Sequence, residues 1–275
     1  MEIQGSGPPG GRAELTCVAV DWSGRTRDAE QFIWTAEVGS GRLRGLRNGR
    51  SRAGVGDLLI EIATATPRLA VGLDFAFSFP SWYLDRLGVG HAGELWELAA
   101  AQGEGWLAAR ATPFWGWPGG TRPIDQEHFR RTEANLARAT GGIGPKSPFQ
   151  IGGAGSVGTG SIRGMPLLAR LRREGFSIWP FDENPGWPRV VEIYPRLHTG
   201  PVRKSAAAAR HAHLEALGWP ADRLGRALVA STEDAFDAAL SARAMDRHQE
   251  CLATLPVIPE ECAVTARREG WIWSP

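Results

Sequence analysis

Two short apolar segments, each closed by an aspartate, constrain the fold of this chain more than any other feature. Residues 15–20, LTCVAV, lead to Asp21, and residues 68–73, RLAVGL, lead to Asp74. Apolar runs of this length are typical of strands buried on both faces, which belong to sheets covered by helices on both sides. Sites in open α/β sheets form at the carboxyl ends of the strands. The two segments therefore predict an α/β fold with Asp21 and Asp74 at one edge of its sheet.

Further strands and helices are predicted around these segments. Strands are expected at residues 31–38, 42–46, 176–181 and 189–194, with a hairpin turn at 39–41. Helices are expected at residues 57–66, 93–110, 125–139 and 166–174, and from an N-cap at Ser231 to about Leu252. No strand is evident between Ser81 and Gly144. Residues from about 81 to 150 are therefore predicted to form a helical insertion.

Length and composition predict one globular domain. The chain has 275 residues, of which 43% are hydrophobic, so a disordered chain is excluded. Residues 1–14 resemble a flexible tail rather than a signal peptide, and residues 15–275 are expected to form a single domain. No stretch approaches the ~18 to 20 apolar residues of a membrane helix. The three cysteines form no close pair, so we expect a cytoplasmic protein without a membrane partner, while its oligomeric state stays open.

The net charge argues against a general attraction to polyanions. Lys and Arg total 31 against 30 Asp and Glu, which gives a net charge of +1, so nucleic acid must be bound locally. One local candidate is the segment 42–52, which contains Arg42, Arg44 and Arg47 and no acidic residue. These arginines could hold phosphates, although a charged, solvent-exposed edge strand explains them equally well. Lys204, after the predicted strand 189–194, is a second candidate.

Five carboxylates are candidates for one site. Beside Asp21 and Asp74, Glu192 lies near the end of a predicted strand, and Asp234 and Asp237 stand three residues apart on the last helix, where both can face one site. Clustered carboxylates repel each other unless a hard cation neutralises them, and Mg²⁺ or Mn²⁺ prefers such oxygen ligands. We predict that Asp21, Asp74 and Asp237 bind the metal and that the other two acids are further ligands or the general base. Taken singly, each acid is equally explained as a turn cap, a helix-dipole partner or an ion-pair partner.

Motifs along the whole chain resemble one known family. The segments are VAVDWSG (18–24), VGLDFAFSFP (71–80), GSVGTGS (155–161), VVEIYPR (190–196) and EDAFDAALSA (233–242). In this order they resemble the family catalogued as domain of unknown function 429, which is regarded as predicted nucleases of RNase H-like fold. The resemblance implies a mixed five-stranded sheet flanked by helices, with Asp21 on the first strand, Asp74 on the fourth and the acidic pair on the last helix. The spacing of Asp234 and Asp237 also resembles the final acidic pair of Holliday-junction resolvases.

The residues and the resemblance together predict a metal-dependent nuclease that hydrolyses phosphodiester bonds of DNA or RNA. The predicted catalytic residues are Asp21, Asp74, Glu192, Asp234 and Asp237. The predicted substrate-binding residues are Arg42, Arg44, Arg47, Ser156 and Lys204. Two alternatives stay open: a non-catalytic RNase H-like binding protein that uses its arginines and tryptophans, and an actin-like ATPase in which the first aspartate binds Mg²⁺.

The glycine-rich segment 152–160 matches two unrelated motifs. Residues 153–158 fit the dinucleotide-binding pattern G-x-G-x-x-G, and residues 154–158 approximate a hydrolase nucleophile elbow around Ser156. Both motifs need a strand before them and a helix that starts within them, whereas the helix predicted here begins only at Pro166. We therefore expect neither a nicotinamide nor a serine nucleophile, although the glycines could let the backbone approach a substrate phosphate.

Overall fold

A mixed six-stranded sheet forms the centre of the protein. The structure is a computed structural model that describes residues 14–139, 144–153, 155–183, 185–219 and 223–275. Its strands are β1 (Thr16–Asp21), β2 (Trp34–Gly39), β3 (Arg42–Arg47), β4 (Leu69–Leu73), β5 (Ser177–Ile178) and β6 (Arg189–Glu192). Its helices are α1 (Ala29–Phe32), α2 (Arg52–Ala65), α3 (Ser81–Leu87), α4 (Ala92–Ala109), α5 (Arg131–Ala139), α6 (Gly158–Arg173), α7 (Pro195–Thr199), α8 (Ala207–Ala216), α9 (Arg223–Val229), α10 (Glu233–Arg247), α11 (Gln249–Thr254) and α12 (Glu260–Glu269). The predicted α/β class is confirmed.

The strand order brings the ends of β1 and β4 together. Across the sheet the order is β3-β2-β1-β4-β6-β5. The first three strands form an antiparallel meander, whereas β4 and β6 run parallel to β1. Val20 pairs with Leu73, so the carboxyl ends of β1 and β4 meet at one edge of the sheet.

The five-stranded sheet that the resemblance implies is wrong, because the segment expected as a strand at 176–181 adds a sixth strand, β5, which pairs with β6 at the outer edge. This strand has only two residues, and its parallel register joins Ser177 to Arg189. Pro180 follows closely and has no N–H for a ladder hydrogen bond, which accounts for the short strand where residues 176–181 were expected.

Helices cover both faces of the sheet, as the apolar runs predicted. Val18 and Val20 of β1 belong to one core cluster, together with side chains of α2, α4 and α6. Cys17 and Ala19 point to the other face and belong to the cluster that contains Phe236 of α10. Because successive side chains of a strand alternate between faces, a strand buried in this way is apolar throughout.

Helix α6 begins at Gly158 and not at Pro166, so the predicted start of this helix is wrong. Its glycines serve close packing. A Cβ at Gly158 would lie 2.3 Å from the carbonyl oxygen of Pro148, and one at Gly164 would lie 2.6 Å from the ring of Phe75. Pro166 lies inside the helix. Residues that local propensity marks as helix breakers are therefore retained here by tertiary contacts.

Two other predicted helix boundaries are corrected. The N-cap of α10 is Thr232 rather than Ser231, since the Thr232 hydroxyl accepts from the Ala235 N–H at 2.9 Å. This helix ends at Arg247, and α11 is a separate helix. Helix α5 begins at Arg131, later than the expected start at residue 125.

The predicted insertion contains the helices α3, α4 and α5. In the described part of this segment, β-pairing is limited to one isolated bridge between Trp115 and Gln150. The predictions for residues 1–13 and 140–143 fall outside the described residues. Over the portion of the chain that is described, no helix combines the length and apolarity needed to cross a membrane.

Gly72 sets how closely α10 approaches the sheet. A Cβ at this position of β4 would lie 2.7 Å from Sδ of Met245 in α10 and 2.8 Å from Cγ2 of Ile193. Such distances are too short for carbon and sulfur atoms, so a side chain here would push α10 away from β4.

We expect Gly72→Ala to lower the free energy of unfolding by about 1–3 kcal/mol, because the added methyl group overpacks the core. In the matched control Gly105→Ala, the new Cβ in α4 has open space, and the gain in helix propensity should raise stability by up to about 1 kcal/mol. Urea unfolding of both variants measures these changes. A Gly72→Ala protein as stable as the wild type would contradict the close approach of α10.

Candidate active site

Asp21 and Asp74 lie side by side at the carboxyl edge of the sheet. Asp21 is the last residue of β1, and Asp74 follows β4 directly, where its N–H donates to the Val20 carbonyl at 3.1 Å. Each of the two carboxyl groups affects the pKa of the other. Without a cation, their raised pKa values favour a proton on this pair at neutral pH. Burial and the neighbouring acids raise the pKa of Asp21 well above its usual range and the pKa of Asp74 to about 8.

Asp237 adds a third carboxylate. It belongs to α10, which packs against β1 and β2, and only 7% of the residue is exposed. The Lys204 ammonium donates to Oδ2 of Asp237, whereas Oδ1 is buried and has no hydrogen-bond partner among the described residues. Burial raises the pKa of Asp237 to about 6, and Lys204 opposes this rise. A buried carboxylate oxygen without a donor is destabilising, and a bound cation would relieve that cost.

Asp234 lies one helical turn before Asp237 and is half-buried. Burial and the charge of Glu233 raise the pKa of Asp234, while Arg25 opposes the rise. The charge of Asp234 also contributes to the raised pKa of Asp21. Asp234 therefore belongs to the same acidic group as Asp21, Asp74 and Asp237.

Glu192, the fifth candidate acid, is engaged by other groups. It ends β6 opposite Leu73, close enough to Asp74 to raise the pKa of that residue. Its Oε2 accepts from Arg130 at 2.8 Å and from the Phe77 N–H at 3.0 Å, and its Oε1 accepts from the other Arg130 nitrogen. Because both oxygens are used, Glu192 is poorly placed to bind a metal or accept a proton.

The buried Arg130 and Glu133 were not found by the sequence reasoning. Arg130 is fully buried and pairs with both Glu133 and Glu192. Burial raises the pKa of Glu133 to about 7, against the opposing effect of Arg130. The Arg130 N–H donates to the Glu133 carboxylate at 2.7 Å, a contact typical of the start of a helix. An acid three residues after a helix start is a local sequence signal for the contact between Arg130 and Glu133. No local signal indicates that Arg130 also pairs with Glu192.

The three predicted arginines of β3 do not lie together at the site. Arg47 pairs with Thr35, close to the end of β1, and forms an ion pair with Glu37 at 3.4 Å. Arg42 pairs with Gly39 at the opposite end of β2, and Arg44 binds Glu14. Since the register fixes these positions, Arg47 alone among the three is near the carboxylates.

Lys204 and Ser156 have different surroundings. Lys204, predicted to bind substrate, contacts the acidic group directly through Asp237. The Ser156 N–H donates to the Gly153 carbonyl at 3.4 Å in the turn before α6, and among the described contacts none joins Ser156 to the carboxylates. Tyr194, which the sequence reasoning missed, lies near Asp74 and Asp237, whose charges add to the effect of burial in raising its pKa.

Arginines hold the loop that follows Asp21. Arg52 donates to the Ser23 carbonyl at 2.8 Å and to the Arg25 carbonyl at 2.6 Å, and Arg163 donates to the Gly24 carbonyl. The Trp22 indole donates to the Gly160 carbonyl at 3.1 Å, which ties the same loop to α6. The position of Asp21 is therefore fixed from the loop side as well as by the sheet.

The donor chemistry fits a hard cation, although a complete ligand set is not preformed. Within the described residues, no three His, Cys, Asp or Glu side chains are already placed to hold an ion. The raised pKa values of Asp21 and Asp74 instead favour a proton on that pair, and Asp237 binds Lys204. The partnerless Oδ1 of Asp237 and the all-oxygen donor set are nevertheless those that Mg²⁺ or Mn²⁺ would use.

The glycine-rich motifs lack the strand that they require. The described residues 144–153 contain the single bridge at Gln150 and no strand, although α6 does start at the last glycine of the dinucleotide pattern. Ala154, part of both motifs, lies outside the described residues. A dinucleotide site or a nucleophile elbow is therefore not supported.

The chain matches no protein-family model, no curated protein and no solved structure. The functional argument therefore depends on the site itself.

Without divalent metal, the raised pKa of Asp74 predicts that the protein loses stability as pH rises. The folded state binds this proton up to about pH 8, whereas the unfolded state releases it near pH 4, so the free energy of unfolding falls across that window. Asp74→Asn removes this contribution, which amounts to at most about 1.4 kcal/mol per pH unit. Urea unfolding in EDTA at several pH values should show a flatter pH dependence for Asp74→Asn. Equal slopes for the two proteins would contradict the raised pKa.

Proposed function

We propose that this chain is a metal-dependent nuclease of RNase H-like fold, similar to the family catalogued as domain of unknown function 429, which hydrolyses nucleic-acid phosphodiester bonds with Mg²⁺ or Mn²⁺. The observation that carries the proposal is the group of three carboxylates, Asp21, Asp74 and Asp237, of which the first and third are buried and Asp74 is half-buried. The pKa values of Asp21 and Asp74 are raised, and Asp237 has an oxygen without a partner among the described residues. Such a group is costly in a folded protein unless a cation binds it.

The placement of the acids supports the RNase H-like assignment. The resemblance implies an acid on the first strand, another on the fourth and an acidic pair on the last helix, whereas in the structure α11 and α12 follow the helix that carries the pair. Asp21 ends β1, Asp74 follows β4, and α10 carries Asp234 and Asp237 against β1. The additional strand β5 lies at the far edge of the sheet from β1 and leaves this arrangement unchanged.

The proposed roles follow from the environment of each side chain. Asp21, Asp74 and Asp237 would hold the ion once the proton on the pair of Asp21 and Asp74 has left. A bound Mg²⁺ or Mn²⁺ supplies activation of water and stabilisation of the charge on the phosphate oxygens. Asp234 is half-buried at the rim of the group, so it is the carboxylate left to accept a proton from the attacking water. Lys204 places a positive charge beside Asp237, where an anionic substrate would arrive.

A second candidate is a non-catalytic nucleic-acid-binding protein of the same architecture. The ion pair between Lys204 and Asp237 favours it, because a lysine already neutralises one of the three carboxylates. Binding that survives both EDTA and Asp21→Asn, without cleavage, is the result that this candidate predicts.

Nuclease assays with Mn²⁺ test the main proposal. End-labelled single-stranded, duplex, hybrid and branched substrates are incubated with the wild type, with Asp21→Asn and with Asp237→Asn. We expect the wild type to cleave at least one substrate, and the cleavage rate to fall about 100-fold or more in both variants. Loss of a direct metal ligand should cost at least as much activity as loss of a residue that hydrogen-bonds to such a ligand.

Asp246→Asn is the matched control. Asp246 is equally buried on the same helix, but it accepts from the Gly41 N–H at the opposite end of the sheet, and an asparagine oxygen can keep that bond. Its cleavage rate should equal that of the wild type. Absence of metal-dependent cleavage on all four substrates, or equal activity of Asp21→Asn, would contradict the nuclease proposal.

A further inference from the structure

A cavity of about 350 Å³ lies between the loop after β1, the end of α4 and the start of α6. Its lining includes Thr26, Arg110, Trp117, Gly153, Thr159 and Arg163. The volume is within the range of sites for small ligands. One part of its wall is bare backbone, because Gly116 and Gly152 are packed so closely that a Cβ on Gly116 would lie 2.3 Å from the Gly152 carbonyl oxygen.

Arg110 has an unusual conformation at the mouth of this cavity. It terminates α4 in the left-handed region, with φ of 49°, where glycine is the residue that avoids strain. Its side chain is exposed, and among the described contacts its guanidinium has no acceptor. An arginine held at such a position, with its charge unpaired, points to a ligand that carries negative charge.

The second charged side chain of the cavity lining is already paired. Arg163 is fixed in place, since its Nε donates to Glu104 at 2.6 Å and its Nη1 donates to the Gly24 carbonyl. Because Glu104 balances the charge of Arg163, the positive charge of Arg110 is the one left in the lining.

The cavity is directly connected to the carboxylates along the chain. The backbone of Gly24 packs against Thr159 and Gly160, so closely that a Cβ on Gly24 would lie 2.5 Å from the Gly160 nitrogen. Gly24 is three residues after Asp21, a separation of at most about 10 Å. About three stacked nucleotides of one strand cover that distance. Trp117, partly buried on the other side of the cavity, offers an aromatic surface for a base.

We propose that this cavity binds one unpaired nucleotide of the substrate strand, about three nucleotides from the cleavage site, with its phosphate on Arg110 and its base against Trp117. The inference rests on the proposed nuclease function and specifies single-stranded nucleic acid as the substrate class. A cavity of about 350 Å³ has room for a single base, which enters it only if it is unpaired and unstacked from its neighbours.

Binding of a fluorescein-labelled oligothymidylate of about ten nucleotides, measured by anisotropy in EDTA, tests the inference without requiring cleavage. The variants are Arg110→Gly and Trp117→Leu. The control is Arg226→Ala, an exposed arginine on α9, a helix that packs with α10 over the opposite face of the sheet. Arg110→Gly should bind about tenfold more weakly and reduce the slope of log affinity against log salt by about 0.7. Trp117→Leu should weaken binding by about 5- to 100-fold.

The Arg110→Gly variant separates binding from folding. Glycine adopts a φ of 49° without strain, so the melting temperature of this variant should equal or exceed that of the wild type while its affinity falls. Affinity equal to that of Arg226→Ala, or tighter binding of the wild type to a duplex of the same length, would overturn the inference. Strand binding without cleavage would refute the nuclease and leave this site standing. Cleavage that neither cavity variant affects would support the nuclease and refute the nucleotide site in the cavity.

Discussion

The repulsion among three clustered carboxylates is the constraint on which the rest of this structure depends. Asp21, Asp74 and Asp237 come from β1, the end of β4 and α10, so the same packing that builds the core also forces their charges together. Without a divalent cation, the raised pKa values of Asp21 and Asp74 favour a proton on that pair, and Lys204 pairs with Asp237. One oxygen of Asp237 still has no partner among the described residues. A fold whose central edge carries an incompletely neutralised cluster is more readily explained by a function for that cluster than by stability alone.

The surrounding contacts restrict how the cluster can relax. Gly72 lets α10 lie close against β4, so Asp237 cannot withdraw from the edge of the sheet without disturbing the core. Arg130 occupies both oxygens of Glu192 and joins the helical insertion to the end of β6. Arg52 and Arg163 hold the backbone of the loop that follows Asp21. The acids are therefore set on rigid elements, as preorganised catalytic groups must be, and the nearby arginines are arranged on the side where the cavity opens.

The sheet edge and its acids could be predicted from the sequence because their signals are local. These signals are the apolar runs of β1 and β4 and the three-residue spacing of Asp234 and Asp237. The start of α6 could not be predicted, because the effect of Gly158 and Gly164 depends on Pro148 and Phe75, which meet them only in the folded chain. The engagement of Glu192 was equally hidden, since its partner Arg130 is 62 residues away. The ion pair of Lys204 with Asp237, 33 residues further along, was hidden in the same way, because tertiary structure sets it. Local pattern thus predicted elements, and it failed where charge pairs and backbone contacts join distant segments.

The most direct test of the central claim is a crystal structure of the protein grown with Mn²⁺ and measured at a wavelength at which manganese scatters anomalously. The account predicts an anomalous peak coordinated by oxygens of Asp21, Asp74 and Asp237, with metal–oxygen distances close to ~2.1 Å. It also predicts that metal binding releases protons, because Asp21 and Asp74 must both be ionised to bind the ion. The absence of such a peak at millimolar Mn²⁺, with the Lys204–Asp237 pair retained, would contradict the account.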